Sequence, residues 1–394
     1  MKASTYSAST LFSLALLARV AVAADAPAAQ PTTADATPTA AAPAASTPAA
    51  TASKEPVWDI PMPLKTGQVI DLFPEGVPGW KDIGPEVVSG TTYSNVSDPR
   101  LICYPPAPGT PSSGTAVIFC AGGGYVHVAG PGAFNGWLNP LGVTVFGLIY
   151  RCQEFGAPAP QQDVMRAVRL LRSHAKELGI DPNKIGVIGN SAGGHVTASA
   201  ATLYDDAIGK TGIEFDKVSA RPDFAVLNFA VLTMEAPNAH VASKTALLGA
   251  HPTQEQIDQY SVEKHVTPNT PPIFIVHSEQ DTTVKEENDL MFYAALRKAG
   301  VRAELHLYPD ATHGSGMDAN FGPTALWQKL CTEWMRWNGW IPTSDTSMMK
   351  VQTRPAAGGA RGAAGARGGA GRGGRGAPPA TSNNATPPAS TTGT

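Results

Sequence analysis

Residues 184–204 read KIGVIGNSAGGHVTASAATLY, and this stretch decides the fold class. A short apolar run, typical of a buried strand, leads into the turn 189–193 (GNSAG) and then into a helix-like run. The pattern GxSxG between a strand and a helix requires a tight turn, in which only small residues let the two elements approach closely. We therefore interpret Ser191 as a nucleophile exposed at a helix N-terminus, rather than as an incidental serine in a glycine-rich turn.

Similar apolar runs lie on both sides of this stretch and alternate with helical ones. The predicted strands are 115–120, 143–150, 184–188, 223–229, 272–277 and 302–308, and the predicted helices include 161–178, 285–299 and 323–337. This alternation specifies a mostly parallel sheet with helices on both faces, and residues 86–104 are expected to add an antiparallel pair at its edge. Ligands of such sheets collect at the carboxyl ends of the strands.

A serine nucleophile needs a base, and the base needs a carboxylate that orients it. In a sheet of this kind, acid and base follow late strands in the order Ser, acid, His. Asp281 follows the run PIFIVH, and His313 follows the run RAELHLY. Glu279 and Asp310 are competing carboxylates. Glu279 lies nearer to the end of its strand, whereas Asp310 is also explained as a turn cap. Position favours Asp281 as the acid and His313 as the base.

A glycine-rich loop follows the first long predicted strand, at residues 121–125 (AGGGY). A loop in this position offers backbone N–H groups to the negatively charged oxygen of a tetrahedral intermediate. We expect the amides of Gly123, Gly124 and Ala192 to form this oxyanion hole. A dinucleotide-binding GxGxxG reading fails, because it requires a glycine where the chain has His127.

Other side chains near these motifs have less specific signals. Tyr125, His127 and Trp137 are candidate walls of a substrate pocket, although ordinary packing explains each equally well. His195 lies in the first turn after the serine and His277 inside a predicted strand, so both are interpreted as packed histidines. The loop region 232–266 is too long for a simple connection and is expected to form a partial lid.

Composition and charge divide the 394 residues into unlike parts. We predict a signal peptide at 1–23, an Ala/Pro/Thr-rich disordered linker at 24–53, a catalytic domain at 54–349 and a basic, Gly/Arg/Ala-rich disordered tail at 350–394. The tail has six cations and no acid, and the first 53 residues are balanced, so the overall charge of −3 leaves −9 on the domain. Export to a secreted or periplasmic location is expected. An acidic domain is a poor binder of the phosphate backbone, so no nucleic-acid partner is expected for the domain.

The cysteines do not point to a metal. Four are present, Cys103, Cys120, Cys152 and Cys331; they allow three complete pairings and are explained equally well as buried thiols. No CxxC motif or Cys/His cluster accompanies them, so a zinc site is not expected.

These motifs together resemble a known family. From about residue 84 to 340 the chain resembles the α/β-hydrolase esterases, in particular bacterial carbohydrate esterases of the acetylxylan and feruloyl esterase kind. The matching features are AGGGY at 121–125, Tyr150-Arg151, GNSAGGH at 189–195, Asp281 and HGSG at 313–316, whereas Ala121 and Asn190 depart from the usual pattern. The resemblance implies an α/β-hydrolase fold and a serine ester hydrolase without metal or cofactor. Its implied substrate is an acetylated carbohydrate such as xylan, with feruloyl or general short-chain esters as the alternative.

Two other functions are weighed against this one. A glycosidase needs two carboxylates that face each other across a sugar, and no such pair is distinguishable in the sequence. A binding role would depend on the RGG units at 367–369 and 372–374, which resemble RNA-associated segments but lack interleaved aromatics. A basic arm that contacts acidic glycans or the cell envelope is the milder expectation. The oligomeric state stays open.

Overall fold

An eight-stranded sheet forms the centre of the computed structural model, which describes residues 56–314 and 322–343. The strands in chain order are β1 (Val69–Asp71), β2 (Val87–Ser89), β3 (Thr92–Ser94), β4 (Arg100–Tyr104), β5 (Ala116–Cys120), β6 (Val128–Ala129), β7 (Thr144–Ile149), β8 (Ile185–Asn190), β9 (Phe224–Asn228), β10 (Ile273–Ser278) and β11 (Ala303–Tyr308). The order in the main sheet is β1-β4-β7-β5-β8-β9-β10-β11, and the last six strands of this order are parallel. The predicted mostly parallel sheet is therefore confirmed.

Helices cover this sheet. They are α1 (Asn135–Leu138), α2 (Ala159–Ser173), α3 (Ser191–Thr202), α4 (Val241–Leu248), α5 (Gln254–Gln259), α6 (Glu287–Ala299) and α7 (Trp327–Trp337). Every residue of β5, β7 and β9 is buried, which requires a layer on each face of the sheet. The predicted helix over 161–178 ends early, at Ser173, where the serine hydroxyl donates to the Leu170 carbonyl and competes with the helical hydrogen bonds.

The expected antiparallel pair from residues 86–104 is only partly correct. Within this region β4 alone joins the main sheet, antiparallel to β7. β2 and β3 lie in a separate three-stranded sheet, in which β3 pairs with both β2 and β6. The edge of the main sheet is instead β1, which pairs antiparallel with β4. This strand has three residues and buries only Ile70, so it leaves no detectable alternation in the sequence.

The strand register brings the predicted motifs to one edge of the sheet. Cys120 at the end of β5 lies beside Gly189 of β8, and Ser278 at the end of β10 lies beside Tyr308 of β11. Because these strands are parallel, the loops that carry the glycine run, Ser191, the acid and the histidine all leave from this edge.

The structure describes the four cysteines but not the predicted signal peptide, linker and tail. All four cysteines are free and buried, and burial raises the pKa of Cys103 and of Cys120 to about 12, so they pack as thiols. In the described ranges, no helix is both long and apolar enough to cross a membrane. The predicted signal peptide, linker and basic tail lie outside the described residues, as do Ser315 and Gly316 of the HGSG motif.

Candidate active site

Ser191 stands at the junction of β8 and α3 in a strained backbone conformation. Its φ is 53°, which non-glycine residues rarely adopt. A Cβ atom at Gly189 would lie 2.2 Å from the Gly193 carbonyl oxygen, and one at Gly193 would lie 2.1 Å from the Cys120 carbonyl oxygen. The turn therefore depends on both glycines, and it leaves Ser191 8% exposed at the N-terminus of α3.

Asp281 and His313 come together at the serine. His313 Nε2 lies 3.0 Å from Ser191 Oγ, and His313 Nδ1 lies 2.7 Å from Asp281 Oδ2. Asp281 Oδ1 accepts the backbone N–H groups of Thr283 and Val284, each at 2.9 Å. This geometry makes Nδ1 the donor and leaves Nε2 free to accept the serine proton.

The Asp281 carboxyl is held in its charged form. Burial alone would raise its pKa, but hydrogen bonds from His277, His313 and the Val284 amide outweigh this effect and hold the pKa of Asp281 well below its usual range. An ionised carboxylate at this point can stabilise a protonated His313.

The two competing carboxylates are directed elsewhere. The Glu279 side chain is exposed, and its backbone amide donates to the Tyr308 carbonyl. Asp310 accepts the Thr324 hydroxyl at 2.5 Å, near the turn that precedes α7. Asp310 thus ties the start of the last helix to the histidine loop, in keeping with its reading as a turn cap.

Two residues that position His313 have no sequence signal. Ser278 Oγ donates to the Tyr308 carbonyl and accepts the Ala311 amide, each at 2.9 Å, and so braces the loop that carries the histidine. The Phe229 ring packs edge-on against the His313 ring, with 4.8 Å between centroids. Both depend on contacts between distant segments, which local sequence patterns do not reveal.

The glycine loop lies directly against the serine turn. Gly122 donates to Asn190 Oδ1 at 3.1 Å, and a Cβ atom at Gly122 would lie 3.0 Å from Ser191 Cβ. Gly123 has a φ of 145°, and a Cβ there would collide with the His127 carbonyl. Within the described residues, no carbonyl accepts the amides of Gly123 or Gly124, so both remain available to a ligand.

Tyr125 is buried and anchors this loop instead of forming a pocket wall. Its hydroxyl donates to His195 Nδ1 at 2.6 Å, and His195 Nε2 donates to the Tyr260 carbonyl at 2.7 Å. Burial lowers the pKa of His195 to about 4, although its hydrogen bond to Tyr260 opposes the shift, so the ring is neutral. With no exposed surface, Tyr125 cannot touch a substrate, which corrects the expectation for this residue.

The other two candidate wall residues differ. Trp137 donates from its indole N–H to Thr332 Oγ1 at 2.9 Å and packs edge-on against Phe134 and Trp327. These contacts join α1 to α7, so Trp137 is accounted for by packing rather than by substrate contact. His127 is half-buried, and its ring lies beside Gly123, so its expected contact with a substrate stays a prediction.

A cleft of about 730 Å³ begins at Val126, the residue that follows the glycine loop, and its lining includes neither Ser191 nor His313. It is lined by apolar and uncharged polar residues: Val126, Gln153, Phe155, Gly156, Ala157, Ala242, Thr245, Ala246, Leu247, Leu248, Gly249 and Gln256. The region 232–266, expected to form a partial lid, contributes α4 and part of α5 to this wall. His240, just before α4, has a pKa that is lowered by burial and then by the charge of His313.

The chain is similar in sequence to several known proteins. The BD-FAE family model matches residues 103–296. The chain is 39% identical over 155 residues to endo-1,4-beta-xylanase B of Butyrivibrio fibrisolvens, and 30% identical over 237 residues to the acetylxylan esterase of Xylanibacter ruminicola. These matches cover 39% and 58% of this chain, but only 24% and 46% of the respective relatives.

Solved structures match over nearly their whole length. An acetyl ester-xyloside bifunctional hydrolase from Caldicellulosiruptor lactoaceticus is 36% identical, with a TM-score of 0.59, and the match covers 70% of this chain and 97% of that one. A thermophilic esterase from Thermogutta terrifontis, in its propionate-bound structure, is 27% identical, with a TM-score of 0.54 and coverage of 64% and 93%.

Proposed function

Because the chain belongs to the BD-FAE family of α/β-hydrolase esterases, we propose that it is a serine carboxylic ester hydrolase that deacetylates a carbohydrate such as acetylated xylan. The observation that carries this proposal is the continuous path from Ser191 Oγ through His313 to Asp281, with steps of 3.0 and 2.7 Å. Such a path activates a hydroxyl that is otherwise a poor nucleophile near neutral pH.

The proposed reaction has two halves. Ser191 Oγ attacks the ester carbonyl carbon, and its proton passes to His313 Nε2. The tetrahedral intermediate then breaks its bond to the alcohol oxygen, which takes the proton from His313 and leaves an acyl-Ser191 ester. A water molecule attacks this ester with His313 again as base, which releases the carboxylic acid and restores the serine.

The oxyanion would be held by backbone groups. The amides of Gly123 and Gly124 have no described carbonyl acceptor, and the amide of Ala192 lies at the start of α3, where the helix dipole favours negative charge. Donors that are already oriented stabilise a developing charge without the cost of reorganising solvent.

Acetylated carbohydrate is favoured as the substrate by the relatives and by the cleft. Two relatives are named as an acetylxylan esterase and an acetyl ester-xyloside bifunctional hydrolase. We assign the alcohol part of the ester to the 730 Å³ cleft that begins at Val126, one residue beyond the oxyanion loop. Another relative is named as a xylanase, but the described lining residues of the cleft include no carboxylate. Glycoside cleavage, which needs two, is therefore the weaker proposal.

The decisive test compares the wild type with Ser191→Ala on acetylated xylan, 4-nitrophenyl acetate and a feruloyl ester. We expect the wild type to release acetate from xylan and the variant to be inactive, with circular dichroism as the control for folding. Equal activity of the two proteins would refute the serine mechanism. Activity on the feruloyl ester alone, or on 4-nitrophenyl acetate alone, would replace the acetylxylan assignment with one of its alternatives.

Export through residues 1–23 and envelope or glycan contact through the tail 350–394 are further parts of the proposal. The charge pattern of the sequence supports both, and it disfavours nucleic acid as a partner of the domain. Deleting 350–394 should leave hydrolysis of soluble esters unchanged and reduce retention on acidic polymers. Unchanged retention would argue against the role of the tail.

A further inference from the structure

A second histidine contacts the Asp281 carboxylate from the side opposite to the solvent. His277 lies on β10 with its side chain fully buried. Its Nε2 atom is 3.0 Å from the Val284 carbonyl oxygen and 3.3 Å from Asp281 Oδ2, and its Nδ1 atom contacts Asp289 Oδ2. His277 thus bridges the proposed catalytic acid and a carboxylate in the first turn of α6.

The partners of His277 determine its charge. The Val284 carbonyl only accepts a hydrogen bond, so Nε2 carries a proton, and Nδ1 carries a second one where it faces an ionised Asp289. Burial alone would lower the pKa of His277, but Asp289 and Asp281 outweigh it and raise the pKa to about 10. The ring is therefore an imidazolium at neutral pH, clasped between two carboxylates.

Asp289 depends on this contact. Its Oδ1 atom is buried and has no hydrogen-bond partner among the described residues, so its polar contact is the one that Oδ2 makes with His277. Burial raises the pKa of the Asp289 carboxyl, and the charge of His277 opposes that rise. The position of Asp289 near the N-terminus of α6 also favours its negative charge.

The clasp, which His277 forms between Asp281 and Asp289, adds an ion-pair contact to the hydrogen bonds of Asp281. Oδ1 accepts the amides of Thr283 and Val284, and Oδ2 accepts the His313 Nδ1–H. His277 Nε2, whose N–H donates to the Val284 carbonyl, lies 3.3 Å from Oδ2. The charged groups that meet here come from β10 (His277), the following loop (Asp281), α6 (Asp289) and the loop after β11 (His313). Two carboxylates and one imidazolium leave one negative charge, which a protonated His313 can neutralise.

We propose that His277 is a positioning residue for the proposed ester hydrolysis, and that Asp289 acts on catalysis only through it. The clasp fixes the orientation of Asp281 and keeps the carboxylate ionised, although His277 touches neither the substrate nor Ser191. This role rests on the proposed serine esterase function.

The test is a set of variants assayed on 4-nitrophenyl acetate. His277→Leu removes the contacts of the ring with Asp281, Asp289 and the Val284 carbonyl. It should lower kcat roughly 10- to 100-fold, as for the loss of a hydrogen bond to a charged group, and change KM by no more than about twofold. His277→Gln retains one N–H donor and should lose less. Asp289→Asn should lower kcat in the wild-type background but not further in the His277→Leu background, because it acts through the same ring.

A control variant separates positioning from general stability. Phe292→Leu removes packing from the same helix, α6, but no hydrogen bond, so it should lower the melting temperature without changing kcat. If His277→Leu and Phe292→Leu lower the melting temperature alike and both keep the wild-type kcat, the proposal is overturned. Additive losses for His277→Leu and Asp289→Asn would overturn the role of Asp289.

If the variants do not fold, a measurement on the wild type tests whether His277 is protonated. In protein labelled with ¹⁵N-histidine, the ring signals of His277 should report two protonated nitrogens at pH 8, where an unperturbed histidine is neutral. A neutral ring would overturn the clasp. The proposed function fails separately, through an active Ser191→Ala variant, whereas an inactive Ser191→Ala with a fully active His277→Leu refutes only this inference.

Discussion

Two buried histidines flank the serine site, and one is neutral while the other is positively charged. On the side of the glycine loop, His195 lies between the Tyr125 hydroxyl and the Tyr260 carbonyl, and its pKa falls to about 4. On the side of the acid, His277 lies between Asp281 and Asp289, and its pKa rises to about 10 despite burial. Burial acts on both rings in the same direction, so the chemistry of the partners decides the sign of the shift.

The difference shows how the two halves of the site are held. The neutral His195 links the glycine loop to α3 and to residue 260, by hydrogen bonds between uncharged groups. The charged His277 holds the acid by ionic contacts. Between them, His313 has 23% of its side chain exposed and contacts one carboxylate and one hydroxyl, so it is the member of the three that a substrate can reach.

The largest expected effect comes from the acid side. Asp281→Asn should lower kcat by about 10⁴-fold, because an amide at this position favours the wrong tautomer of His313 and cannot stabilise its protonated form. Steady-state kinetics on 4-nitrophenyl acetate measure the loss. The matched control is Glu279→Gln, which changes an exposed carboxylate two residues earlier and should leave kcat unchanged. The reverse result would make Glu279 the acid.

A smaller effect is expected on the side of the glycine loop. Gly123→Ala places a Cβ 2.0 Å from the His127 carbonyl oxygen at a φ of 145°, so the loop must shift its amides away from the oxyanion. We expect kcat to fall roughly 10²- to 10³-fold, as for the loss of one oxyanion donor. Gly136→Ala, where a Cβ meets nothing within 4 Å and φ is not positive, is the control. Equal kcat for both variants would remove this loop from the mechanism.

The two histidines should also give the plot of unfolding free energy against pH two sloping arms, one alkaline and one acidic. From about pH 6.5 to about pH 10 the unfolded state loses the proton that folded His277 keeps, so the free energy of unfolding falls as pH rises. From about pH 6.5 down to about pH 4, the histidine of the unfolded state binds a proton that folded His195 does not bind. The free energy of unfolding therefore also falls as the pH decreases over this range. Each slope approaches about 1.4 kcal/mol per pH unit.

Urea unfolding at a series of pH values measures both arms. His277→Gln should flatten the alkaline arm and leave the acidic one, which makes the variant its own internal control. An alkaline arm that persists in this variant would mean that another group, and not His277, titrates there.

Much of this arrangement follows from local patterns in the sequence. The apolar runs marked the strands of the parallel part of the sheet, and the residues after them included Ser191, Asp281 and His313, which the structure brings within hydrogen-bond distance. The missed strand β1 and the early end of α2 are short features that depend on contacts with the rest of the molecule. The sequence does not distinguish a pocket wall from ordinary packing for Tyr125 and Trp137, because their surroundings are decided by partners 70 and 195 residues away.

The sequence by itself determined the parallel α/β order, the serine turn and the choice of Asp281 over Glu279, because each depends on residues that are close along the chain. Only the tertiary structure decided the charge of the histidines, the anchoring of Tyr125 and the link from Asp281 to Asp289. These properties depend on which groups meet when β10, α6 and the loops pack together. The sequence shows that a histidine is present, whereas its protonation state depends on neighbours that only folding brings into contact.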